Sequence, residues 1–153
     1  MTDSVSPAIV AKVLRWFDNV PYALLALPLR FAAASVFWRS GQGKLANWDT
    51  TLYLFTDEYK VPLLPPEFAA QLATTIELSM PVLLVLGLGS RAASAVLLGM
   101  TAIIQIFVYP MAWPTHIQWA AILLIILFRG PGALSLDHVV RVRVWPKLGR
   151  GTL

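Results

Sequence analysis

The chain contains no cysteine, which excludes disulfide exchange, thiolate metal sites and iron–sulfur clusters held by this chain alone. Charge is scarce too: 13% of the 153 residues are Asp, Glu, Lys or Arg, with 8 acidic residues against 12 basic ones. Histidine occurs only at His116 and His138. Apolar residues take the place of charge, at 58% of the chain. That share lies outside the range of ordinary soluble globules, and the surplus needs a lipid solvent.

Four apolar blocks, roughly 21–38, 67–88, 91–109 and 115–129, approach the length of about 20 residues that a helix needs to cross a hydrocarbon core. The runs are continuous and lack the alternation of barrel strands, so they are expected to be helices. The reading is an all-α integral membrane protein with a single membrane domain over residues 1–153. It is a four-transmembrane-helix antiparallel bundle, with an amphipathic N-terminal helix and a short extracytoplasmic helix between the first two spans. No short apolar core with a small-residue cleavage site precedes the first span, which is expected to be retained. Lys12, Arg15, Arg91, Arg129, Arg141, Arg143, Lys147 and Arg150 fall on one side and Arg39, Lys44 and Lys60 on the other. This asymmetry puts both termini in the cytoplasm. The net charge of +4 then reflects orientation and anionic lipid rather than nucleic acid.

Ser6 and Pro7 suit the N-cap and first position of a helix, in which Ile9, Val13, Trp16, Phe17 and Val20 share one face. That helix is expected either to lie on the inner leaflet or to extend the first span into the cytosol. Gly41 and Gly43 are read as the point where the chain leaves the first helix. Residues 39–66 are then the one sizeable outer connection, where Leu52, Phe55 and Tyr59 have helical spacing. A short helix capped near Thr50 or Thr51 is expected to lie over the bundle mouth as a lid. Pro66 suits the first turn of the second span. The turns "GLGSR" and "YPMAWPTH" are short enough to make spans two, three and four antiparallel neighbours in sequence. "GPGALSLDH" breaks the last helix, with Ser135 and Asp137 starting a terminal segment whose "VVRVRVW" suits an anionic membrane surface.

Two ionisable residues interrupt the apolar runs, Arg30 in the first span and Glu77 in the second. Counting about 1.5 Å per residue from opposite ends puts both near the midplane, where an unpaired Arg costs about 2.5–3.5 kcal/mol or more. A direct Arg30–Glu77 pair is therefore expected, serving either as a catalytic, proton-exchanging centre or as a structural clamp. Gln71, Gln105 and Gln118, with Trp38, Lys44 and Trp113 near the outer ends, are the candidate ligand-binding groups.

His116 and Met111 are the candidate metal ligands, a weak set without cysteine; a capping or hydrogen-bonding role is the stronger reading of His116. A haem held by two histidines fails because His138 lies beyond the opposite end of the last span. "RSGQGK" is not a phosphate loop: Trp38 stands where the first Gly is needed, and Leu45 where Ser or Thr is needed. Nothing in the sequence points to haem, flavin or an iron–sulfur cluster.

Arg30, "FWRSGQGKL", Glu77, "LGLGSRAAS" and "RGPGALSLDH", in that order and at those depths, resemble the DoxX family of small four-helix membrane proteins. The resemblance covers roughly residues 21–138. "YLFTDEYKVPLLPPE" and "IQIFVYPMAWPTHIQWA" are similar to a subgroup associated with bufferin-type systems, in which modified peptides bind copper. The resemblance implies the bacterial inner membrane and an accessory subunit of a redox or stress-response system, such as quinone-reducing thiosulfate oxidation. A quinone or quinol would then bind near Arg30 and Glu77, with electrons supplied by a partner protein. The alternative is a non-enzymatic anchor, or a small-solute or metal transporter serving a copper-peptide system. The lipid bilayer and a partner protein are the expected partners; nucleic acid is not, and a homo-oligomer is compatible.

Overall fold

The break at "NVP" sets the geometry of the N-terminal region. The computed structural model describes residues 7–144. Helix α1, Pro7–Asp18, ends before Asn19, and α2, Tyr22–Ala46, starts at a 59° bend from it, behind Pro21. That bend rules out a straight extension of the first span. Along α1, Ile9, Leu14, Trp16 and Phe17 are all exposed beside Lys12 and Arg15, as suits a membrane interface. Ser6, expected as an N-cap, and Trp145, Lys147 and Arg150, expected at the inner membrane surface, lie outside the described residues.

Four long helices form a ring. After α2 come α4, Pro66–Leu86, α5, Ser90–Ile103, which continues as a π-helical turn over Ile104–Val108, and α6, Trp113–Arg129. Helix α2 packs on α4 and α6, and α5 on α4 and α6, with no strand among the described residues. Ala33, Ala34, Phe37, Leu84, Leu97 and Leu123 are buried where these helices meet. The outer surface is apolar as well: Phe31, Ile106 and Phe128 are more than half exposed. Arg30, Glu77 and His116, in contrast, are at most 4% exposed. Apolar outside and polar within is the distribution expected in lipid. Pro66–Leu86, Ser90–Val108 and Pro110–Arg129 are each long and apolar enough to cross a membrane, and the bent pair of α1 and α2 makes a fourth when counted as one span.

Helix α2 corrects the expected end of the first span. It runs unbroken through Gly41 and Gly43 to Ala46, and glycine here serves packing rather than termination. A Cβ at Gly41 would come within 2.9 Å of Leu78 Cδ2 and 3.1 Å of Glu77 Cβ, so its absence lets α2 and α4 approach closely. The outer connection therefore starts at Asn47. Its side chain accepts from Thr50 N at 3.2 Å and caps α3, Trp48–Tyr53, so Asn47 is the cap expected at Thr50 or Thr51. A π-helical turn, Leu54–Tyr59, follows and stops at Lys60 in a left-handed conformation. Leu52, Phe55 and Tyr59 pack against Ala69, Ala70 and Ala73 of α4, as the lid reading required. Pro66 occupies the first position of α4.

The opposite, basic end is closed by the segment after α6. Ser135 Oγ accepts from His138 N at 3.2 Å and caps α7, Leu136–Val139. Asp137 accepts from Gly89 N at 2.8 Å and from Ser90 N at 3.1 Å, two of the amides left open at the start of α5. Gly87 makes this docking fit. Its φ is +69°, its carbonyl accepts from Asp137 N at 2.8 Å, and an added Cβ would lie 2.5 Å from Ser135 Cβ. Gly87→Ala is therefore expected to cost about 2–4 kcal/mol, from left-handed strain plus overpacking. Denaturant melts in lipid nanodiscs would read that loss, whereas an unchanged midpoint would show that the segment docks elsewhere.

Candidate functional site

The expected Arg30–Glu77 pair does not exist. Arg30 Nε donates to Leu84 O at 2.6 Å, and Nη1 to Leu134 O at 2.7 Å and Pro131 O at 3.3 Å. Nη2 donates to Val85 O. The guanidinium thus joins the last carbonyls of α4 to the segment after α6, where the helix dipole also favours a cation. Glu77 lies elsewhere: on α4 it stands seven residues before Leu84, and it meets α2 at Ser40 and Lys44. At about 1.5 Å per residue, the two charges are separated by about 10–15 Å along the bundle. Equal depth fails because Arg30, eight residues into α2, is already level with the last carbonyls of α4, Leu84 O and Val85 O, so the two helices do not end at the same depth.

Glu77 pairs with Lys44. Lys44 Nζ is 2.7 Å from Oε2 and 2.9 Å from Oε1, and it also reaches Ser40 Oγ at 2.8 Å. The Ser40 hydroxyl donates to Glu77 Oε1 at 3.1 Å. Ser40 and Lys44 are one helical turn apart, so a single face of α2 presents both to Glu77. The side chain of Lys44 is 17% exposed and that of Glu77 only 3%.

The pair lines a partly open cavity of about 560 Å³ between α2, α4, α5, α6 and the lid. The wall is mostly apolar, with Phe37, Ile76, Met100 and Ile104 among the contributors, and the lid supplies Phe55 and Tyr59. The π-helical turns Leu54–Tyr59 and Ile104–Val108 border it. His116 and Trp119 of α6 complete the wall, their rings 5.0 Å apart. At the far end from the basic segment, Tyr109 donates to Glu58 Oε1 at 2.9 Å and lies 3.3 Å from the Tyr59 hydroxyl, so the lid is fastened to the turn between α5 and α6. The Tyr109 phenol is held above its ordinary pKa by the hydrogen bond with Tyr59, then by burial and by Glu58. It therefore stays protonated, and this fastening intact, at neutral pH.

The other candidates are dispersed. Gln105 touches the site through His116: its Nε2 donates to Pro110 O at 2.7 Å, and its Oε1 is 2.7 Å from His116 Nδ1. Gln71, Gln118 and Trp113 are exposed and do not line the cavity. Trp38 faces a separate shallow groove with Phe31 and Pro81. Met111 is 93% exposed while His116 is buried and hydrogen-bonded, so the two stand in different surroundings. Among the described residues, no three His, Cys, Asp or Glu side chains gather as a metal site would require. Ser40 and Lys44 have helical spacing, a signal for their shared approach to Glu77 that the intervening glycines, which also suit a helix end, obscure. Tyr109 and the role of Asp137 carried no local signal, since their partners are distant in sequence.

The geometry is that of a small, apolar, partly enclosed pocket with a few converging polar groups, the usual form of a small-molecule site. No curated protein and no solved structure matches the chain. A family model described as DoxX matches residues 25–110, more than half of the length. That stretch holds Arg30, Lys44, Glu77 and most of the cavity wall; with its ring of membrane-length helices, this protein belongs to the DoxX family.

Proposed function

We propose that this DoxX protein is an accessory subunit of a redox or stress-response system in the bacterial inner membrane, binding a quinone or quinol in the cavity between α2, α4, α5 and α6. The cavity itself carries this reading: about 560 Å³ of mostly apolar space with a buried Lys44–Glu77 pair and His116 in its wall. An amphipathic ring with opposed oxygens needs that combination of apolar walls and few polar groups. Glu77, rather than Arg30, is the group placed to contact the ligand. With both termini cytoplasmic, as the charge asymmetry indicates, the lid faces outward. The chain has no cysteine, and a partner protein moves the electrons.

A titration of a short-tailed benzoquinone and its quinol into the protein in nanodiscs tests this, against Ala73→Trp, which places bulk in the wall. Binding that falls about tenfold or more in the folded variant supports the site. Equal binding by the variant puts the ligand elsewhere. No binding by the wild type would favour the anchor or transporter reading for a copper-peptide system.

A further inference from the structure

The head group that this cavity accepts follows from which of its polar atoms still have hydrogen-bonding capacity. The three ammonium protons of Lys44 have three acceptors in reach, Ser40 Oγ and both oxygens of Glu77. The Ser40 proton is directed to Glu77 Oε1. No donor of this cluster is left for a ligand. A carboxylate has about four lone-pair sites, and three are engaged, so Glu77 retains capacity as an acceptor.

Gln105 fixes the second polar group. Because its Nε2 donates to Pro110 O, the atom facing His116 Nδ1 is Oε1, which only accepts. The Nδ1 atom must therefore carry the ring proton. In the neutral imidazole that leaves Nε2 as a bare acceptor, and it makes no hydrogen bond among the described residues. The hydroxyls of Tyr59 and Tyr109 are engaged with each other and with Glu58 at the mouth. The indole N–H of Trp119, whose ring is 5.0 Å from that of His116, is the remaining unpartnered donor of the wall.

We infer that the cavity selects a ligand whose head group donates hydrogen bonds, a hydroxyl on an apolar body, and hence the quinol over the quinone. This rests on the reading of the cavity as a quinone or quinol site. A hydroxyl donates to His116 Nε2 or Glu77 and can accept from Trp119 in return. A quinone carbonyl only accepts, so its entry strips water from two acceptors without replacing it. An anionic head meets the Glu77 carboxylate and no uncommitted cation. Gln105 is the positioning residue for this selectivity, acting through the tautomer of His116.

The test titrates three probes into the protein in nanodiscs: a short-tailed benzoquinol, the matching benzoquinone, and the dimethyl ether of the quinol. The quinol should bind about tenfold or more tightly than either of the others, the effect of one or two buried hydrogen bonds. In Gln105→Met that ratio should fall towards one while the protein stays folded. Nitrogen NMR of protein carrying His138→Gln, without ligand, should show His116 protonated at Nδ1, and Gln105→Met should populate the Nε2 tautomer. Quinone or ether binding as tightly as the quinol would overturn the selectivity and leave the cavity reading intact. An Nε2–H signal in the otherwise native chain would also overturn it, with no ligand needed. Binding of none of the three would overturn the proposed function as well.

Discussion

Arg30→Gln should destabilise the bundle by about 3–5 kcal/mol, since at least two hydrogen bonds from a charged donor, worth about 1.5–3 kcal/mol each, are lost. The side chain is 2% exposed and its guanidinium serves Leu84 O, Val85 O, Pro131 O and Leu134 O. Glutamine is shorter and has two amide protons; Leu84 O keeps the Gly87 amide as a donor, but at least one of Val85 O, Pro131 O and Leu134 O is left without a donor in a region with little water. The segment over residues 130–139 should lose one of its anchors, keeping those at Asp137, and become the first site of protease cleavage. Thermal melts and limited proteolysis in nanodiscs read both effects. Exchanging the charges, with Arg30→Glu and Glu77→Arg together, should be worse than either single change, because it places a carboxylate among carbonyl oxygens. Rescue by that exchange would mean that the two charges do meet after all.

The second large effect separates stability from binding. Glu77→Gln leaves Lys44 without its counter-charge and should cost about 3 kcal/mol, the low end for a broken buried pair, since Lys44 is partly exposed and can turn towards water. Replacing both partners, Glu77→Leu with Lys44→Met, removes two charges of opposite sign and should restore wild-type stability or exceed it. It should not restore full ligand binding, because one of the two acceptors of the cavity is gone and only His116 Nε2 is left. A double variant that stays as unstable as Glu77→Gln would show that the pair is needed for packing and not for recognition.

The contrast between Arg30 and Glu77 shows what the sequence could and could not carry. Four apolar runs, short turns and Pro66 fix the order and direction of the helices, since each is a local property of length or backbone chemistry. Gly41 was ambiguous: glycine is favoured both after a helix end and where two helices touch, and only the presence of Leu78 opposite decides between them. Reading Gly41 as a helix end takes Lys44 off α2, and with it the partner of Glu77. Arg30 is satisfied not by the opposite charge but by backbone carbonyls that no side-chain pattern announces. The lid was legible from Phe55 and Tyr59, but its fastening through Tyr109 and Glu58 joins residues 51 positions apart.

The most direct measurement is quinol binding to the Glu77→Leu, Lys44→Met double variant beside the wild type, in nanodiscs and with folding verified on the same sample. A stable double variant whose affinity falls about tenfold or more is the predicted result. A stable double variant that binds the quinol as the wild type does would contradict the assignment of the Lys44–Glu77 cavity as the ligand site.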